Sequence, residues 1–342
     1  MAPLDSFLHS LAKQAIIVLI MMNSQFLTPC SADAIQKAAE QLSAGHLVAF
    51  PTETVYGLGA DATNEQAVNR VYEAKGRPTD HPLIVHISSL NALGVWAREI
   101  PDYAIRLGRV FWPGPMTLIL KRQELAQDFI TGSQDSVGIR VPSDPIALEL
   151  LSRFESLGGL GVAAPSANRF GRVSPTSAQH VQDEIGENLI HGDLIIDGGN
   201  SDIGIESTII DCRNDTMSIL RPGAITAEMI KSTIGINSST LENRDLRVSG
   251  ALEKHYAPNA KVLINQVPIQ GQALMALSSF QTPDGVYRIS SPENVSDFAR
   301  LLYSSLRRAD ELGFDAIVIW IPVGQGMEIA LLDRVSKAAN GL

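Results

Sequence analysis

The stretch PTETVYGLG, residues 51–59, sets Thr52, Glu53, Thr54 and Tyr56 between a short apolar run, HLVAF, and the glycines Gly57 and Gly59. Hydroxyls and a carboxylate here stand between a strand end and a Gly-rich turn. The glycines allow backbone to come close without a Cβ in the way. Further along, KGRPTDHPLIVHI brings Lys75, Arg77, His81 and His86 within twelve residues. Two cations and two imidazoles so close together suit a polyanion. Lys75, Gly76 and Pro78 also make an ordinary helix stop, so both readings of KGRP stand. Arg140 interrupts an apolar run, SVGIRV. A buried arginine needs a partner, either a substrate carboxylate held bidentately or an internal carboxylate.

Small hydroxyl and amide groups fill APSANRFGRVSPTSA, where Ser166, Asn168 and Ser174 could line a nucleotide pocket. GIESTII and LRPGAIT add Ser207, Thr208 and Arg221 near strand ends, the place where open α/β sheets hold ligands. The familiar catalytic devices do not occur. GLGADA has dinucleotide-fingerprint spacing, but six residues, Pro51 to Tyr56, separate it from its strand, and no acidic strand end follows about twenty residues on. There is no P-loop, no nucleophile elbow and no H-E-x-x-H. Cys30 and Cys212, the only cysteines, form no C-x-x-C, and neither a disulfide framework nor a protein-built metal site is expected. What remains is chemistry by position and electrostatics, with ATP supplying the leaving group.

These groups need elements to hold them. SADAIQKAAEQLSAG reads as a helix capped by Ser31, with Gly45 after it, and HLVAF as the strand that follows. NEQAVNRVYEAKG is a second helix, from an Asn64 cap to Gly76. PLIVHI, MTLIL, SVGIRV, LGVAAP, DLIIDGG and STIIDC are short β-rich runs, alternating with helical stretches such as PDYAIRLGRVF and IALELLSRF. The spacing predicts an α/β domain with a twisted sheet, residues 28–235, then a polar linker, 236–260, and a smaller α/β domain, 261–342. At 342 residues there is room for two cores. A net charge of −10 argues against a surface built mainly to hold nucleic acid.

PTETVYGLG, KGRPTDHPLIVHI, WPGPMTLIL, GIRVP, APSANRFGRVSPT, ESTIID and RPGAI, in that order, closely resemble the threonylcarbamoyl-AMP synthase family in its long, two-domain form. The resemblance runs from about residue 30 to 230, then through KHYAP into GMEIALLDRVSKAAN. It implies a YrdC-like twisted mixed sheet with helices around a basic cleft, plus a small Rossmann-like C-terminal domain. The implied enzyme is a nucleotidyltransferase that joins L-threonine, bicarbonate and ATP into threonylcarbamoyl-adenylate and pyrophosphate. Magnesium would arrive with ATP, and separate transfer enzymes would move the product onto tRNA, which this protein is not expected to bind tightly.

By the same resemblance, Thr54, His86, Arg140, Ala164 and Ser207 are threonine contacts. Arg77, His81, Ser136, Ser166, Ser174, Arg221 and Tyr256 are ATP contacts, and Lys75 and Arg77 carry catalytic charge. The sequence departs from the family at His81, where asparagine is frequent, and at Glu253, where an aromatic is common. The linker also lacks the proline usual before Gly250.

KQAIIVLIMM, near the start, resembles a signal core, but its uncharged run is 8 residues and no small-x-small site follows. Residues 1–27 are read as a dispensable extension of a cytoplasmic protein, with Met21 or Met22 a possible start and export the alternative. Two rival functions are an RNA-binding module using the same cleft, and an adenylate-forming enzyme with another carbamoyl or acyl donor. Interleaved aromatics would favour the first, and aromatics are 6% of the chain.

Overall fold

Local chemistry starts and stops the first helices. The Ser31 side chain accepts the Ala34 amide at 3.1 Å and opens the helix Ala32–Ser43. Asn64 does the same for Ala67 in the helix Glu65–Lys75, and Gly76 ends it in the left-handed region, at φ 60°. The computed structural model describes residues 26–235, 246–248, 250 and 255–341. Most of the expected N-terminal extension, 1–25, lies outside these residues, as do linker positions 236–245 and Glu253.

Ten strands form one mixed sheet. They are β1 (Leu27–Pro29), β2 (Val48–Phe50), β3 (Gly57–Asp61), β4 (Ile84–His86), β5 (Met116–Lys121), β6 (Ser136–Arg140), β7 (Val162–Ala163), β8 (Leu194–Asp197), β9 (Thr208–Asp211) and β10 (Ser218–Arg221). Their order is β1-β8-β2-β3-β7-β4-β6-β5-β9-β10. β4 and β6 run parallel with His86 opposite Arg140, so both side chains stand at the same level of the sheet. β5 and β9 are also parallel, with Met116 opposite Thr208. Gly57 and Gly59 lie inside β3, so GLGADA is strand and not a phosphate-binding turn. A Cβ on Gly59 would come 2.7 Å from Val162 and 2.8 Å from Phe50, so this glycine serves sheet packing.

A second sheet, of β11 (Lys261–Ile264), β12 (Ala273–Met275), β13 (Tyr287–Ser290) and β14 (Ala316–Ile319), is parallel throughout, in the order β11-β14-β12-β13. The helices Val295–Glu311 and Met327–Ala339 bury Phe298, Leu302, Leu306, Leu331 and Val335 in its core. Each such side chain contributes about 1.5–3 kcal/mol by leaving water. Val55, Val173 and Ile205 of the large domain belong to the same apolar cluster. The second domain is therefore packed onto the segments that follow β2, β7 and β8, where several of the expected site residues are. Among the described residues no helix is long and apolar enough to cross a membrane.

Candidate active site

Between the sheet's strand ends and the segment that carries Gly250, His255 and Tyr256 lies a cleft of about 550 Å³. Its lining includes Thr54, His86, Arg140, Ala164 and Ser207, the five residues expected around threonine. Arg77, Ser166, Arg221 and Tyr256, four of those expected around ATP, share it.

The hydroxyls of PTETVY have distinct tasks. Thr52 Oγ1 donates to the Val55 carbonyl at 2.6 Å and accepts the Thr54 and Val55 amides at 3.2 Å each, which folds the turn on itself. Thr54 Oγ1 then accepts from Arg140 Nη1 at 2.9 Å. Glu53 reaches the same arginine, with Oε1 at 2.7 Å from Nη2, and both side chains are about 6% exposed. That contact is close but out of line. Neither Glu53 oxygen accepts a well-directed hydrogen bond, and Arg140 Nε is buried without an acceptor among the described residues. Arg140 thus has an internal carboxylate and still keeps an unused buried donor on its fork.

His86, 4% exposed, stands beside Arg140 and edge-on to Phe50. Burial, then the Arg140 charge, lowers its pKa to about 3, so the ring is neutral at physiological pH. Its Nδ1 lacks a hydrogen bond among the described residues. Ser207, just before β9, shares a 2.8 Å hydrogen bond with Thr117 of β5. It also accepts from Arg221, at its carbonyl from Nε (3.0 Å) and at Oγ from Nη2 (3.1 Å). Ala164 is fixed by its amide, which donates to the Ile84 carbonyl at 3.0 Å.

Arg77 leaves its helix as expected. It donates from Nη2 to the Pro82 carbonyl at 2.9 Å and lies 5.7 Å from the centroid of the Phe170 ring. Burial lowers its pKa only to about 10, so it remains a cation in the cleft. Lys75 does not line the cleft. It is 3% exposed, and its Nζ donates to the carbonyls of Ser166 and Asn168, tying down the loop that carries Ser166. Burial pushes its pKa well below the usual lysine value.

His81 sits on the half-exposed loop outside the cleft, edge-on to Phe170 at 5.2 Å. Ser174 is fully buried behind the wall, donating to Glu206 Oε1 at 2.6 Å. Ser136 lines a smaller pocket of about 290 Å³ with Ile84, Ile119, Ile209, Arg247 and Val248, and Ile84 is common to both cavities. Asn168 and Thr208 are staples: Asn168 Nδ2 donates to the carbonyls of Arg169 and Arg172, and Thr208 Oγ1 to that of Ile225.

Four further cleft residues, Thr52, Glu206, His255 and Gly250, were given no role of their own from sequence. Thr52 was visible as a hydroxyl two positions before Thr54, but its role is turn geometry. Glu206 stands inside ESTIID, yet its partner Arg334 is 128 positions away. His255, packed between Phe170 and Tyr256, is held neutral by burial, with a pKa of about 3. Gly250 has φ 78°, and a Cβ there would collide with the Tyr256 hydroxyl.

A model of the Sua5, YciO and YrdC proteins, described as telomere recombination, matches residues 40–223, and one for the C-terminal domain of threonylcarbamoyl-AMP synthase matches 225–340. The threonylcarbamoyl-AMP synthase of Pyrococcus abyssi is 38% identical over 330 residues, 90% of this chain and 94% of its own. The chain belongs to the threonylcarbamoyl-AMP synthase family. The Bacillus subtilis threonylcarbamoyl-AMP synthase is likewise 38% identical, over 90% of this chain and 93% of its own. Among solved structures of the family, P. abyssi Sua5 complexed with L-threonine matches with a TM-score of 0.82 at 36% identity, covering 92% of this chain and 97% of that one. The two-domain architecture of this synthase-family chain is thus that of a threonine-binding relative over nearly its whole length.

Proposed function

We propose that this chain is an L-threonylcarbamoyladenylate synthase, making threonylcarbamoyl-AMP and pyrophosphate from L-threonine, bicarbonate and ATP for tRNA modification. The observation that carries the reading is the juxtaposition of Arg140, with a spare buried donor, and Arg77 and Arg221 in one cleft. One half suits a carboxylate and the other a polyphosphate.

In this reading the threonine carboxylate takes the unused edge of Arg140, while Glu53 and Thr54 hold the guanidinium from the other side. Neutral His86 and Ser207 address the remaining polar groups, and the Ala164 backbone closes that end. The amino group, its ammonium proton lost to solvent, attacks carbon dioxide formed by dehydration of bicarbonate; the N–C bond forms as a C=O electron pair moves onto oxygen, and a second proton leaves nitrogen to solvent, giving a carbamate. A carbamate oxygen then attacks the α-phosphorus of ATP, the bond to the β-phosphate oxygen breaks, and pyrophosphate leaves. Arg77 and Arg221 offset the charge on the phosphates. Lys75 acts one step back, by holding the Ser166 loop in place.

Magnesium belongs to the substrate in this account, carried on the phosphates of ATP. Glu206, the carboxylate that lines the cleft, is engaged by Arg334, and Glu53, behind the lining, by Arg140. The apolar faces of Ile84, Ile119, Ile209 and Val248 suit a nucleobase, with Ser136 at its edge. The product passes to separate transfer enzymes, in the cytoplasm. The test is pyrophosphate release from ATP and magnesium: release that needs both L-threonine and bicarbonate supports the synthase. Release indifferent to threonine would point to another adenylate, and retention of RNA without release would favour the binding module.

A further inference from the structure

Glu206 places a carboxylate in the wall of a cleft read as a triphosphate site. The groups that make this tolerable come largely from the second domain. Glu206 Oε2 accepts from Arg334 Nε at 2.8 Å and from the Tyr303 hydroxyl at 2.8 Å, while Oε1 accepts from Ser174. Arg334 has no exposed surface. Its Nη2 also donates to the Pro222 carbonyl at 3.0 Å, one residue beyond Arg221. Its guanidinium lies 5.6 Å from the Tyr256 ring centroid, and that ring stacks on Tyr303 at 5.5 Å. One side chain of the C-terminal helix thus touches Glu206, the end of β10 and the aromatic that lines the cleft.

A buried carboxylate whose cation is removed either stays charged at high cost or takes up a proton. Burial pushes the Glu206 carboxyl up, but Arg334, Arg221 and the hydrogen bonds together hold it at about 2. It is therefore an anion at neutral pH, and its arginines offset the charge it would present to a nucleotide.

We propose that Arg334 is a positioning residue for the nucleotide half of the site, through which the C-terminal domain neutralises Glu206 and fixes Ser174 and the Arg221 strand end. The inference rests on the reading of the cleft as an ATP and threonine site, and it goes beyond that reading by giving the second domain a defined task. A mere domain fastener would lower stability and weaken both substrates alike. A charge-compensating residue weakens ATP selectively, and the defect is relieved when the charge it compensates is removed.

The test uses the full chain as wild type, Arg334→Met, Arg334→Lys, Glu206→Gln and Glu206→Gln/Arg334→Met. Pyrophosphate release gives KM for ATP at saturating threonine and bicarbonate, and calorimetry gives the L-threonine Kd without nucleotide. Arg334→Met should raise KM for ATP by about tenfold or more, with the threonine Kd changed by less than about threefold. The double variant should recover at least about fivefold of that loss, and Arg334→Lys should fall between wild type and Arg334→Met. If Arg334→Met does not fold, Arg334→Lys with and without Glu206→Gln carries the same comparison. An unchanged KM for ATP, a threonine Kd that weakens in step with it, or a double variant as defective as the single one would overturn the inference. A wild-type chain that releases no pyrophosphate from ATP would instead overturn the underlying reading, and the inference with it.

Discussion

Arg140 has two partners in this account, Glu53 within the protein and the carboxylate of threonine, and the two can be separated. Arg140→Ala leaves the Glu53 carboxylate buried with no cation at 2.7 Å and removes the 2.9 Å hydrogen bond to Thr54. Breaking a buried pair from one side costs about 3–5 kcal/mol. Against a domain stability of about 5–15 kcal/mol, that is a large fraction. In Glu53→Gln/Arg140→Met both charges are gone and the volume is largely kept, so the unfolding free energy should return to within about 1–2 kcal/mol of wild type. Threonine binding should not return. Loss of a charge-assisted carboxylate clamp is worth about 3 kcal/mol, or roughly 100-fold in Kd, in both variants. Urea unfolding followed by circular dichroism reads the first quantity and calorimetric titration with L-threonine the second. If the double variant binds threonine within a few-fold of wild type, Arg140 serves Glu53 alone and the clamp is wrong. If Arg140→Ala is destabilised by less than about 1 kcal/mol, the ion pair is not a buried one.

Acid should weaken the fold through its neutral histidines. His86 and His255 have pKa values near 3 when folded, chiefly from burial, against about 6.5 unfolded, so their contribution is full above about pH 6.5 and is lost as pH falls toward 3. Urea unfolding should reveal little change between about pH 7.5 and 6.5 and, below about pH 6.5, a loss approaching about 1.4 kcal/mol per pH unit per histidine, reduced in His86→Gln; stability that is flat from about pH 6.5 to 5 would contradict their burial as neutral rings. Gly250→Ala meets both a φ of 78° and the Tyr256 hydroxyl, so it should cost about 1 kcal/mol or more locally and lower product formation about tenfold, with the melting temperature within a few degrees of wild type. Lys75→Met removes the ammonium that donates to both the Ser166 and the Asn168 carbonyl, and hydrogen exchange should quicken over 164–176 while the sheet is unchanged. Exchange unaltered in that loop would show that Lys75 is not its strut.

What could be read from the chain and what could not divide along sequence distance. Ser31, Asn64 and Gly76 act on residues three or four positions away, so their caps are legible as local patterns. The motif residues around the cleft stood at strand ends, and five of the expected threonine contacts and four of the expected ATP contacts share one cavity. Side-chain direction was not legible. Lys75 and Arg77 are two positions apart, yet Lys75 turns into the loop beneath the cleft and Arg77 into the cleft itself, because the helix ends between them at Gly76. Ser174 looked like an open hydroxyl in a polar loop, but it donates to a carboxylate 32 positions on. Arg334 stands in the motif GMEIALLDRVSKAAN. Nothing local could tell that Glu206 would be its partner, since that pairing depends on how two domains pack.

Carbon from bicarbonate is predicted to become the bridge between threonine and AMP. Incubating the full chain with MgATP, L-threonine and ¹³C-labelled bicarbonate, then quenching rapidly for mass spectrometry, tests it most directly. A threonine-dependent adenylate heavier by one mass unit than its unlabelled counterpart, formed in step with pyrophosphate, is the predicted result. An adenylate that carries threonine but no label, or ATP turnover with no threonine adduct at all, would contradict it.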